Sequence, residues 1–136
     1  EFLFGVGGDH KINSSSSILK NWRYTKEGRK WGHFINLLEE KQVKVKELVI
    51  DTGENTSFQK HFKRSEIWFV SQGACMVKSK DGEDSKILEM KLNKFDYFHV
   101  PRCQWHQILN PFDDLCHIIE IQYGDACYEE DIERIT

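Results

Sequence analysis

A chain of 136 residues is long enough for one domain with a real core and too short for a second globular unit, which excludes a multidomain enzyme within this stretch. Its 19 basic and 22 acidic residues are interspersed and leave a formal net charge of −3, so no nucleic-acid partner and no membrane surface is expected. No run approaches the roughly 18 apolar residues that span a bilayer, and the four cysteines form neither a CxxC pair nor a dense framework, which points to a reduced, cytoplasmic chain.

Residues 1–29 read as an N-terminal arm, partly flexible. EFLFGVGGDHKINSSSSILK joins a glycine cluster to four serines without sustained periodicity. The opening EFLFGVGG lacks the charged flank of a secretory signal, and the missing initial methionine fits a trimmed chain or a piece of a longer protein. His10 reads as solvated. Asn21 to Arg29 reads as a polar loop, with Trp22 and Tyr24 available to pack on the outside of the domain.

From Lys30 to Thr136 the patterning changes. WGHFINLLEE suits a strand with Trp31, His33, Ile35 and Leu37 on one side, and QVKVKELVID alternates valine with lysine before an apolar Leu48-Val49-Ile50 run. Asp51 to Asn55 is a turn by composition. EIWFVSQGACMVKSK predicts two strands bending at Gln72-Gly73, and KDGEDS a hairpin loop with the Asp-Gly signal. KILEMKL, YFHVP, QWHQILNP and LCHIIEIQY follow as strands, the last closing at Gly124. The tail YEEDIERIT, with Ile132 and Ile135 three apart, suits one or two helical turns. Eight or more short strands without a convincing long helix predict an all-β sandwich or barrel.

Two stretches concentrate residues that bind metals. In GENTSFQKHFKRSEIWFVSQG, Gln59 and His61 are two apart, so on a strand both side chains face one way. Glu66 lies an odd five beyond His61, and a turn through Phe62-Lys63-Arg64-Ser65 folding it back as a hairpin removes the conflict. Imidazole, carboxylate and amide oxygen together suit zinc, manganese, nickel or ferrous iron. In FDYFHVPRCQWHQILNP, Pro101 is followed at five by His106 and at nine by Asn110.

These stretches resemble the first and second motifs of the cupin superfamily. Within it, Trp31-Gly32, SFQKHFKRSEIW, the Pro101-to-Pro111 block and the IIEIQYGD…EEDIERI ending look like the cupin domain of type II mannose-6-phosphate isomerases, over about residues 30–135. The resemblance implies a cupin jelly-roll over residues 30–136 and a metal site of Gln59, His61, Glu66 and His106 holding one divalent ion, zinc foremost. It also implies a homodimer. Four positions depart from the pattern: Lys63 and Ile67 stand where histidines are common, Phe95 replaces a turn residue and Cys103 replaces the second motif's glycine.

The activity implied is aldose–ketose isomerisation of a sugar phosphate. The metal would hold the sugar's carbonyl and hydroxyl oxygens and stabilise an enediolate while a base moves a proton between C1 and C2. Glu120, alternating with Ile118 and Gln122, is the candidate base if it faces the barrel interior, and a lysine-paired surface carboxylate otherwise. Arg64 and Lys60 flank the ligands as candidate phosphate contacts. Trp68 and Gln122 complete the expected substrate-binding set. A non-catalytic cupin binding a sugar or small acid, and a metal-dependent oxygenase or lyase, are the alternatives.

Overall fold

The computed structural model describes residues 22–135, so the expected arm through residue 21 lies outside the described residues, as does the expected outward packing of Trp22 and Tyr24. Among the described residues, eleven strands form two antiparallel sheets. The first contains β1 (Trp22–Arg29), β2 (Gly32–Glu39), β3 (Val43–Ile50), β10 (Cys116–Gly124), β5 (Arg64–Gln72) and β8 (Tyr97–Val100), in that order across the sheet. The second runs β11 (Glu133–Ile135), β4 (Phe58–Lys60), β9 (Trp105–Leu109), β6 (Cys75–Lys80) and β7 (Leu88–Leu92). This is the expected all-β jelly-roll. Among the described residues no helix is long and apolar enough to cross a membrane.

The inward face is set by strand parity. On β3 it carries Lys44, Lys46, Leu48 and Ile50; on β10, Cys116, Ile118, Glu120 and Gln122; on β5, Arg64, Glu66, Trp68 and Val70. Antiparallel register aligns like with like: Ile118 lies opposite Leu48 and Val70, whereas Glu120 lies opposite Lys46 and Trp68, and Gln122 opposite Lys44 and Glu66. One half of the interior is therefore an apolar core built on Leu48, Ile50, Val70, Val77, Ile108 and Ile118. The other half is polar and opens as a cavity of about 580 Å³.

Three expectations are corrected. Trp22–Arg29 is a strand rather than a loop, because its backbone completes the ladder with β2 from Lys26 opposite Ile35 to Arg29 opposite Gly32; an edge strand tolerates the polar composition that suggested a loop. The tail forms β11 against β4 instead of helical turns, since the open edge of β4 supplies ladder partners that outweigh the three-residue isoleucine spacing. Finally, β4 and β5 are not a hairpin but belong to different sheets. The chain crosses between sheets at residues 61–63, where the Phe62 and Lys63 amides donate to the Asp131 carboxylate.

Candidate metal centre

The sheet-to-sheet crossing brings His61 and Glu66 face to face, and β9 supplies His106 from the second sheet, opposite Gln59 on β4. One donor atom from each of His61, Glu66 and His106 lies within 4.8 Å of the other two, and all three residues are buried. Second-motif residues hold this arrangement from outside. The Cys103 amide donates to the His61 carbonyl at 2.7 Å. Asn110, fully buried, donates through Nδ2 to the carbonyls of Ile50 and Asp114, and its own carbonyl accepts from the Gly53 amide. The two motifs are thus tied together by the backbone.

The tautomers follow from what the other ring nitrogens touch. A carbonyl only accepts, so His61 Nδ1, 2.7 Å from the Asp131 carbonyl, and His106 Nδ1, 2.9 Å from the Gln104 carbonyl, both carry the proton. Each Nε2 then presents a lone pair to the interior. Burial, then the adjacent Arg64 charge, lowers the His61 imidazole to about 3, and burial lowers His106 to about 4, so both rings are neutral at physiological pH. The 3.2 Å approach of His61 Nε2 to Glu66 Oε2 is consequently not an ion pair but two lone-pair atoms converging, an arrangement that needs a cation between or beside them. Arg64 supplies one, donating from Nε to Glu66 Oε2 at 3.0 Å and from Nη2 to His61 Nε2 at 3.2 Å.

His106 Nε2 has no hydrogen-bond partner among the described residues and lies 3.9 Å from Glu66 Oε1. A buried, aimed and unpartnered nitrogen beside a carboxylate and a second neutral imidazole fits a divalent metal ion. Gln59 lines the cavity beside His61 and Glu66, its Oε1 accepting from Ser57 Oγ at 3.2 Å, and an amide oxygen retains a second lone pair for an ion.

Glu120 lies inside the barrel. Its carboxylate accepts from Gln122 Nε2 at 2.8 Å and Trp68 Nε1 at 3.3 Å, and Trp68 Nε1 also donates to Glu66 Oε1 at 3.0 Å. Burial first, and then the Glu66 charge, pushes Glu120 up to about 7. Trp68 and Gln122 both line the cavity, with Gln122 Oε1 unpartnered among the described residues. Arg64 lines it too, but its guanidinium is occupied on a third side by the Tyr128 carbonyl at 2.8 Å.

Lys60 does not line the cavity. Next to Gln59 on β4 it has the opposite parity, so its ammonium points outward, 4.8 Å from the Trp105 ring centroid and 3.8 Å from Glu83. Residues that the sequence reading passed over stand in its place: Arg29, Lys46, Glu129 and Arg134 all line the cavity. A signal for Lys46 was present, because it shares parity with Leu48 and Ile50 on one strand.

Residues 19–136 match the family described as "Mannose-6-phosphate isomerase C-terminal". The chain is 30% identical over 108 residues to a mannose-1-phosphate guanylyltransferase from Sinorhizobium fredii, covering 79% of this chain and 20% of that protein. It is 31% identical over 107 residues to the alginate biosynthesis protein AlgA of Pseudomonas aeruginosa, covering 79% and 21%. The chain therefore spans about a fifth of the length of these relatives. Among solved structures it is similar to the capsular polysaccharide assembling protein CapF of Staphylococcus aureus, with a TM-score of 0.71 at 15% identity over 88% of this chain and 34% of that one. Oxalate decarboxylase from Bacillus subtilis gives 0.73 at 12% identity over 84% and 31%. At those identities the likeness is one of fold. Motifs, jelly-roll and match over nearly the whole described length agree: the chain belongs to the mannose-6-phosphate isomerase C-terminal family, a cupin domain.

Proposed function

We propose that this domain is a divalent-metal-dependent sugar-phosphate isomerase of the mannose-6-phosphate type, interconverting aldose and ketose. The observation that carries the reading is a buried carboxylate, Glu120, held near 7 in the cavity that His61 and Glu66 line, with a donor atom of the neutral His106 imidazole within 4.8 Å of theirs. His61, Glu66 and His106, with Gln59, would hold the ion, zinc foremost and manganese, nickel or iron as alternatives. A bound ion would supply Lewis acidity, lowering the cost of negative charge on substrate oxygens.

The remaining work falls to the chain's own side chains. From the aldose, Glu120 takes the proton from C2 and returns it to C1 through an enediolate while the O2 hydroxyl proton passes to O1, and the ketose reacts by the same transfers in reverse. A carboxyl group with a pKa near neutrality serves as base in one half-step and acid in the next. Gln122 and Trp68 hold its two oxygens in place. Arg64 fixes Glu66 and His61, and the Asp131 carbonyl fixes the His61 tautomer.

A second reading, a non-catalytic sugar- or acid-binding cupin, is favoured by one observation: Arg64 already bridges His61 and Glu66, a task a metal would otherwise perform. A coupled assay with mannose 6-phosphate on metal-loaded protein separates the two. Isomerisation that falls by roughly 10²–10⁴ in kcat for Glu120→Gln, with metal content retained, is expected. Metal-loaded wild type without turnover would leave the binding reading.

A further inference from the structure

The wall of the cavity formed by β1, β2 and β3 carries cations that the donor set does not use. The Arg29 guanidinium lies 4.8 Å, and the Lys46 ammonium 4.2 Å, from the centroid of the same Phe34 ring. Lys30 follows Arg29 in the turn into β2, and all four side chains line the cavity. Five cationic residues line it against three carboxylates, in a chain whose formal net charge is −3. The charge excess is local to the cavity, which is the pattern expected of a site for an anionic ligand.

Lys46 is the built element of this wall. It is only 5% exposed, and a buried ammonium requires a counter-charge. Among the described residues the one carboxylate within ion-pair distance is Glu129, whose Oε2 lies 2.9 Å from Lys46 Nζ and 3.2 Å from Lys44 Nζ. Glu129 differs from the lysines it joins. Its side chain is 55% exposed and belongs to the connection between β10 and β11, so it can leave for water while the lysines, fixed on β3, cannot. Lys30 and Arg134, also on the cavity wall, have no carboxylate within ion-pair distance among the described residues.

We propose that Lys46, with Arg29 and Lys30, forms an anion subsite for the phosphate of a phosphomonoester, and that the phosphate takes Glu129's place on Lys46. This rests on the sugar-phosphate reading of the cavity and locates the charged end of that substrate. A phosphate dianion offers three acceptor oxygens, which suits the point charge of Lys46 together with the fork of Arg29. The Phe34 ring keeps water from one side of both cations and so strengthens their pull on the anion. Glu129 acts as the resident anion: it keeps Lys46 paired in the empty site and makes binding an exchange of one anion for another.

Calorimetric titration of the full chain at low salt, after removal of bound metal with chelator, tests this with inorganic phosphate, a hexose 6-phosphate and the free hexose. Both phosphates bind and the free hexose does not. Lys46→Met weakens both phosphates by about tenfold or more, from the loss of a charge-assisted hydrogen bond. Glu129→Gln, an exposed and conservative change, tightens them because the competing carboxylate is gone. Lys94→Ala, which lies away from the cavity, changes nothing. No phosphate binding by wild type, or phosphate affinity that is unchanged or weakened in Glu129→Gln, overturns the proposal, even if Lys46→Met fails to fold. Phosphate binding through Lys46 without turnover in metal-loaded protein retains the subsite and rejects the isomerase reading. Turnover with phosphate binding indifferent to both substitutions rejects the subsite and retains the isomerase.

Discussion

At Cys103 the backbone φ is 66°, in the left-handed region that side chains with a Cβ resist. The Gln104 amide donates to the Pro101 carbonyl at 3.3 Å, so Cys103 occupies the position of a type II turn that normally takes glycine. Phe95, at φ 74°, stands in the same position of the turn closed by Asp96 on Asn93. Both departures from the family pattern are thus backbone strains, and the motif's glycine was a statement about φ before it was one about chemistry. Replacing Cys103 with glycine is expected to relieve about 1–2 kcal/mol of strain and return about 0.5–1 kcal/mol in chain entropy, a net gain of about 1 kcal/mol. Thermal unfolding of Cys103→Gly checks it, and a lower melting temperature than wild type would refute the strain account. The same turn carries the amide that holds His61, so relief at Cys103 leaves the ligand's anchor in place.

At the level of elements, the connection from β10 to β11 straps the site. Tyr128 gives its carbonyl to Arg64, Asp131 gives its carbonyl to His61 and its carboxylate to the crossing between sheets, and Glu129 joins Lys44 to Lys46. None of this was legible in YEEDIERIT, because four of the six contacts pair a side chain with a main-chain group and all six span more than 60 residues of sequence. Strand parity was legible but underused. Reading back from Leu48 and Ile50 places Lys46 and Lys44 inside, on the face opposite the valines with which they alternate.

The strap makes a prediction about acid. Partial desolvation of the half-exposed Glu129 works against its ionisation, yet the charges and hydrogen bonds of Lys46 and Lys44 prevail and hold its carboxyl at about 2, below the ordinary 4.5. A depressed carboxyl contributes stability that is present above 4.5 and is lost as pH falls towards 2. Denaturant unfolding of wild type and Glu129→Gln should therefore differ by a constant amount above about pH 5, with wild type the more stable. The gap should close between pH 4.5 and 2. A gap that does not change with pH would show that the pair stabilises the fold by packing and not by charge.

Across the whole molecule, the strand inventory from Gly32 to Gly124 was readable because half-buried strands alternate and turns carry Gly, Asn and Asp. The two ends were not readable: β1 and β11 are edge strands whose sequences are polar and whose structure comes from their ladder partners. The donor set was readable from spacing once the two motifs were seen together, but how Glu66 reaches His61 was not. That depends on a crossing between sheets, a property of topology with no local signature. The barrel divides its interior into an apolar half that makes it stable and a polar half that is cationic, buried and able to take an anion, and register along β3, β10 and β5 produces both.

The central claim is that the unpartnered nitrogen of His106, with His61 and Glu66, is a metal site. Metal content per chain, measured by plasma mass spectrometry on protein purified without a histidine tag beside a His106→Ala variant of verified fold, tests it most directly. The account predicts about one divalent ion per chain in wild type, lost in the variant. A wild type that holds no ion after reloading with zinc, manganese, nickel and ferrous iron in turn would contradict it, and Arg64 would then be the cation for which these ligands are arranged.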